Sequence, residues 1–145
     1  MTPLSFQITV DCAEPHVLAD WWAEALHWDV EPTDSDFIRR MIAEGRATDD
    51  DTAVHRGGLV WKTGAAIRSP ATDGHDGRRV LFQMVPEPKT VKNRVHLDVH
   101  IGQDHVEAEH DRLVALGATV SHRGSEGTVS WITLRDPEGN EFCIH

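Results

Sequence analysis

The chain has 145 residues, enough for one ordinary domain with a core of its own. Its formal charge of −10, from 14 Lys and Arg against 24 Asp and Glu, argues against nucleic acid and anionic membranes as partners. Two cysteines, the lack of a long apolar run and an N-terminus without a basic region argue against a disulfide framework, a membrane span and a leader, so a cytoplasmic protein is expected.

Leu4 to Cys12 alternates apolar Phe6, Ile8, Val10 and Cys12 with polar Gln7, Thr9 and Asp11, the pattern of a strand with two unlike faces. Ala13-Glu-Pro15 starts a helix, with Leu18, Trp21, Trp22, Ala25 and Leu26 as its apolar stripe. Packing against a sheet is the favoured role for both tryptophans, and ligand stacking the alternative. His27-Trp-Asp-Val30 leads into a second strand. Residues 33–56 read as an insertion, with a short helix capped from Asp34 to Asp36, carrying Phe37, Ile38, Met41 and Ile42 on one side and stopping near Gly45. It could cover a cavity or pack on a partner subunit. Asp49-Asp-Asp51 reads as a solvated helix start rather than a calcium loop. Leu59–Trp61 and Ala65–Ile67 read as short strands around Lys62-Thr-Gly64, followed by a Gly, Asp and Pro loop and a strand at Val80–Val85 whose one polar side chain is Gln83. Pro86-Glu-Pro88 ends this first module, 1–88, and Lys89–Asn93 is the linker.

The second module, 93–145, opens on the same design: Val95, Leu97, Val99 and Ile101 alternate with His96, Asp98 and His100. A shift that lays Gln7 on His96 also lays Val10 on Val99, His16 on His105 and Ala19 on Ala108, so the chain reads as an internal duplication. A helix follows, with a capping box expected from Asp104 and Glu107 and an end at Gly117. Strands at Ala118–His122, Val129–Leu134 and Glu141–His145 complete it. Each module therefore reads β-α-β-β-β, an α+β fold.

Two such units, paired aromatics on the first helix, LFQMVPEPKTVKNRVHLDVHI and the terminal LRDPEGNEFCIH together resemble the vicinal oxygen chelate superfamily, in its glyoxalase-like, bleomycin-resistance-like branch. The resemblance implies two tandem modules whose mixed sheet curls around a shared cavity, with up to four metal-ligand positions on facing strands. By motif position these are Gln7, Gln83, His96 and Cys143. Metal-dependent members usually carry His or Glu there, and the two glutamines and one cysteine depart from that pattern.

Alternation adds Thr9, Asp11, Asp98 and His100 to the expected substrate wall and puts Glu141 and His145 on the face of Cys143. Glu141 or Asp98 is a candidate proton carrier, and Cys143 is also a candidate nucleophile if His96 lowers its thiol pKa. Two functions stay open. One is an enzyme of lyase, isomerase or dioxygenase type acting on a small oxygenated molecule with a divalent metal. The other is a metal-free protein that sequesters an antibiotic in an apolar groove, as bleomycin-resistance proteins do. The resemblance implies a homodimer in either case. A purely structural role is the least favoured, because it leaves the polar rows without partners.

Overall fold

The computed structural model describes residues 1–2, 4–71 and 77–145. Part of the Gly and Asp-rich loop expected before the Val80–Val85 strand, residues 72–76, lies outside them. The chain divides into two compact units, Met1–Pro88 and Lys89–His145.

In the first unit, β1 (Ile8–Cys12) leads into α1 (Pro15–Leu26), which has proline at its first position as the sequence requires. β2 (Asp29–Val30), β5 (Gly64–Arg68) and β6 (Arg79–Met84) complete a sheet in the order β1-β6-β5-β2. β1 runs parallel to β6, and β5 runs antiparallel to both β6 and β2. α1 packs on β5 and β6, so Leu18, Ala19 and Trp22 are buried with Ile67, Val80 and Phe82. Removing Leu18, Ile67, Val80 and Phe82 from water is worth about 1.5–3 kcal/mol each. Trp21 and Trp22 meet edge to face at 5.1 Å and are both buried, which assigns them to packing.

Between β2 and β5 the chain forms α2 (Ser35–Ala43), β3 (Thr52–His55) and β4 (Gly58–Trp61). Asp34 caps α2, its Oδ1 accepting from the backbone N–H groups of Asp36 and Phe37. Asp49–Asp51 forms one turn of 3-10 helix, closed by reciprocal bonds between Thr48 and Asp51. β3 and β4 make a separate two-stranded sheet. Leu59–Trp61 therefore pairs back onto Thr52–Val54 and not with Ala65–Ile67, so the extra segment runs past residue 56.

In the second unit, β7 (Asp98–Val99), a 3-10 turn (Gln103–His105), α3 (Val106–Leu116), β8 (Thr119–Glu126), β9 (Val129–Arg135) and β10 (Glu141–Ile144) follow in order. The sheet order is β7-β10-β9-β8, with β7 parallel to β10 and the remaining pairs antiparallel. In both units the order is first, last, third, second once the inserted hairpin is set aside, so the expected duplication holds at the level of topology. The result is an α+β fold with curled, open mixed sheets. Val106 and Leu113 of α3 are buried, as are Ile132, Leu134, Phe142 and Ile144 of β9 and β10.

Two local expectations change. The regular ladder of β7 is much shorter than the alternation over Val95–Ile101 implies, because its one neighbour is β10. The Leu97 carbonyl accepting from Cys143 N–H, and Ile101 N–H donating to the His145 carbonyl just past β10, extend it on either side. The capping box at Asp104 is not formed: His105 is the N-cap of α3 and makes no side-chain cap, while Glu107 is taken by Arg123. No helix among the described residues is long and apolar enough to cross a membrane.

Candidate functional site

Strand pleating decides which side chains of the second unit face away from α3. Phe142 and Ile144 turn into the core, so Glu141, Cys143 and His145 project from the opposite face. Register extends that face across the sheet. Cys143 pairs with Asp98 on β7 and with Thr133 on β9, and Thr133 pairs with His122 on β8. The last pairing depends on an irregularity between Val120 and His122, where the strand gains one residue. Without it His122 would project from the other face.

These residues line a cavity of about 370 Å³ together with His96, Glu141, His145, Val129 and Trp131. The Thr133 hydroxyl lies 3.3 Å from Cys143 Sγ and 3.3 Å from His122 Nε2, a continuous polar chain across three strands. His96 Nδ1 lies 3.1 Å from Asp98 Oδ1. One ligand atom each from His96, Asp98 and Cys143 can be chosen so that all lie within 4.8 Å of one another. Imidazole nitrogen, carboxylate oxygen and thiolate sulfur are all zinc donors, and three protein ligands with a position left open match catalytic zinc sites. The thiolate makes the set a poorer match for Mn(II), which prefers oxygen.

Glu141 is 8% exposed and tied down from two sides. Lys89 Nζ sits 3.1 Å from its Oε2, and the backbone N–H of Asn93 donates to the same oxygen at 3.0 Å. Burial raises its pKa, but the Asn93 and Lys89 contacts outweigh burial and hold it at about 2. At neutral pH it is a carboxylate with its oxygens engaged. Trp131 owes its position to Gly124: a Cβ there would stand 2.4 Å from Trp131 Cε2, so only glycine lets the indole lie against β8 and form the cavity wall.

The structure thus brings together His96, Asp98, Glu141 and Cys143 of the residues singled out in the sequence. His100 is not in the cavity lining; its ring packs edge to face on His145 at 4.4 Å. Gln7, Thr9, Asp11 and Gln83 belong to the first unit, all exposed, with Asp11 and Gln83 in register and Gln7 Oε1 accepting from Arg79. His122, Thr133 and Trp131 were not foreseen. The bulge hides His122, since it breaks the alternation that would mark its face.

The glyoxalase-like domain profile matches residues 7–145. The chain belongs to the glyoxalase-like domain family. Solved structures agree on the fold. The fosfomycin resistance protein FosX from Listeria monocytogenes, crystallised with Mn(II) and 1S,2S-dihydroxypropylphosphonic acid, superposes with a TM-score of 0.64 at 11% identity, covering 100% of this chain and 92% of that one. A glyoxalase/bleomycin resistance/dioxygenase family enzyme from Burkholderia phytofirmans gives 0.59 at 13%, covering 95% and 94%. A possible glyoxalase from Bacillus cereus gives 0.59 at 12%, again covering 95% and 94%. No curated protein sequence matches this glyoxalase-like domain.

Proposed function

We propose that this glyoxalase-like domain is an enzyme that binds a small oxygenated molecule in the cavity of its second unit and holds a divalent cation there with His96, Asp98 and Cys143. The observation that carries the reading is the convergence of those three donors in one lined cavity. A bound cation supplies a Lewis acid for a carbonyl or enolate oxygen of the ligand. The protein's part is to orient and to move protons. His96 Nδ1 and Asp98 Oδ1 stand 3.1 Å apart, the spacing of two neighbouring ligands, and would turn from each other to the cation on binding. Thr133 offers the Cys143 proton a route through its own Oγ1 to His122 Nε2, leaving sulfur as thiolate. Glu141 anchors the segment that carries Lys89 and Asn93 to β10, a positioning role in place of proton transfer. Val129 and Trp131 give the ligand an apolar wall.

FosX, with Mn(II) and a phosphonate, supports a metal-assisted reading for this fold. A second reading, the metal-free sequestering protein, draws on Trp131, whose indole lines the cavity and offers a flat ligand a stacking surface. In either reading the chain works as a cytoplasmic homodimer. Leu4 and Phe6 of the first unit are each more than 90% exposed, apolar surface that a second copy would cover. Elemental analysis of protein purified without chelator tests the choice. About one zinc-type ion per chain more in wild type than in His96→Ala or in Cys143→Ser supports the enzyme. Metal-free protein whose tryptophan fluorescence is quenched by a polycyclic antibiotic supports sequestration and ends the metal reading.

A further inference from the structure

The first unit has a cavity of its own, about 670 Å³, walled by α1, β2, β4, β5, β6 and the inserted segment. Two imidazoles meet at it. His16, in the first turn of α1, has Nε2 2.8 Å from the carbonyl oxygen of Trp61. His55, the last residue of β3, has Nε2 2.7 Å from Asp20 Oδ2. A carbonyl and a carboxylate only accept, so Nε2 carries the proton in both rings and Nδ1 holds the lone pair when the ring is neutral. Neither Nδ1 has a hydrogen-bond partner among the described residues, and no side-chain nitrogen or oxygen of those residues is both deeply buried and unpaired.

This is how metal-binding histidines are usually supported: the nitrogen that does not bind donates to a carbonyl or carboxylate, which fixes tautomer and ring orientation. The spacing agrees. A metal–nitrogen bond of about 2.0–2.1 Å places an ion roughly 3.2 Å from the ring centre, and two rings at the tetrahedral angle then have centres about 5.2 Å apart. The centroids of His16 and His55 are 5.2 Å apart.

Asp20 is held in turn by Arg56, whose Nε donates to Oδ2 at 2.8 Å. Arg56 has φ 49°, a left-handed conformation that costs a non-glycine residue about 1 kcal/mol, in the two-residue turn that joins β3 to β4. That turn sets the guanidinium on Asp20 and His55 beside His16. Arg56 cancels the charge of Asp20 locally, and the chain as a whole, at −10, attracts cations.

We propose that His16 and His55 form a two-imidazole site for a late first-row divalent cation, zinc or copper, through their Nδ1 atoms, with Asp20 as the residue that positions His55. The site uses none of His96, Asp98 or Cys143 and stands or falls independently of the function proposed above. Water or a ligand oxygen fills the remaining positions.

The full chain carrying His96→Ala and Cys143→Ser removes the second-unit donors, and zinc is the probe. Nitrogen-15 imidazole spectra should show the Nδ1 resonances of two histidines moving together and saturating at one zinc per chain. Isothermal titration should show affinity falling at least tenfold in His16→Ala and in His55→Ala, and roughly tenfold or more in Asp20→Asn, the usual cost of removing such a supporting contact. Zinc affinity unchanged by both histidine substitutions would overturn the proposal. So would zinc shifting Nε2 in place of Nδ1, a readout that needs no variant of the site itself.

Discussion

Replacing Glu141 by glutamine keeps the size of the side chain and removes the charge that Lys89 and Asn93 surround. A carboxyl lowered from 4.5 to about 2 corresponds to roughly 3 kcal/mol of folding free energy at neutral pH. Lys89 remains 22% exposed and salt reaches it, so about 1–2 kcal/mol is the expected net effect. The sign follows from linkage. Because the folded pKa lies below the unfolded one, the stabilisation is fully present above about pH 4.5 and fades as pH falls through about 2. Urea unfolding of wild type and Glu141→Gln at pH 7, 5 and 3 measures it. Wild type should lead by about 1–2 kcal/mol at pH 7 and 5, and by clearly less at pH 3. An advantage that stays the same from pH 7 to pH 3 would refute the reasoning, because it would mean the charge contributes nothing.

Two further substitutions test local packing. Gly124→Ala forces its new methyl against the Trp131 indole, so stability should fall by roughly 1–3 kcal/mol with a shift in tryptophan emission, read by urea unfolding and fluorescence. Asp34→Ala leaves the first turn of α2 without its acceptor and should cost about 1 kcal/mol in the same unfolding assay, whereas Asp34→Asn should cost much less.

What the sequence reveals depends on how local its cause is. Asp34 as the cap of α2, Pro15 at the head of α1 and Gly117 at the end of α3 are decided within a few residues, and all three are in place. The face of β10 was legible for the same reason: strict alternation separates Cys143 from Phe142 and Ile144. Strand length was less legible, because a ladder reaches only as far as its neighbour. β1 begins at Ile8 and not Leu4, since its pairing with β6 starts at Ile8 and Val80. β3 was missed because its turn, Arg56-Gly57, has an arginine where a two-residue hairpin usually places Asn, Asp or Gly. Glu107 suits a capping box in sequence, yet the distant Arg123 claims its carboxylate. His122 reaches the cavity through one extra residue in β8, and Trp131 through the missing side chain of Gly124 on the neighbouring strand. Neither cause is periodic, so neither leaves a trace in the pattern of apolar residues.

Cobalt substitution reads the second-unit donor set most directly, because a thiolate bound to Co(II) gives an intense near-ultraviolet charge-transfer band that imidazole and carboxylate do not. The expected result is that band at one cobalt per chain, absent in Cys143→Ser and weakened at least tenfold in apparent affinity by His96→Ala and Asp98→Asn. Cobalt binding with no thiolate band, or a band that persists in Cys143→Ser, would contradict the assignment of His96, Asp98 and Cys143 as one metal-holding group.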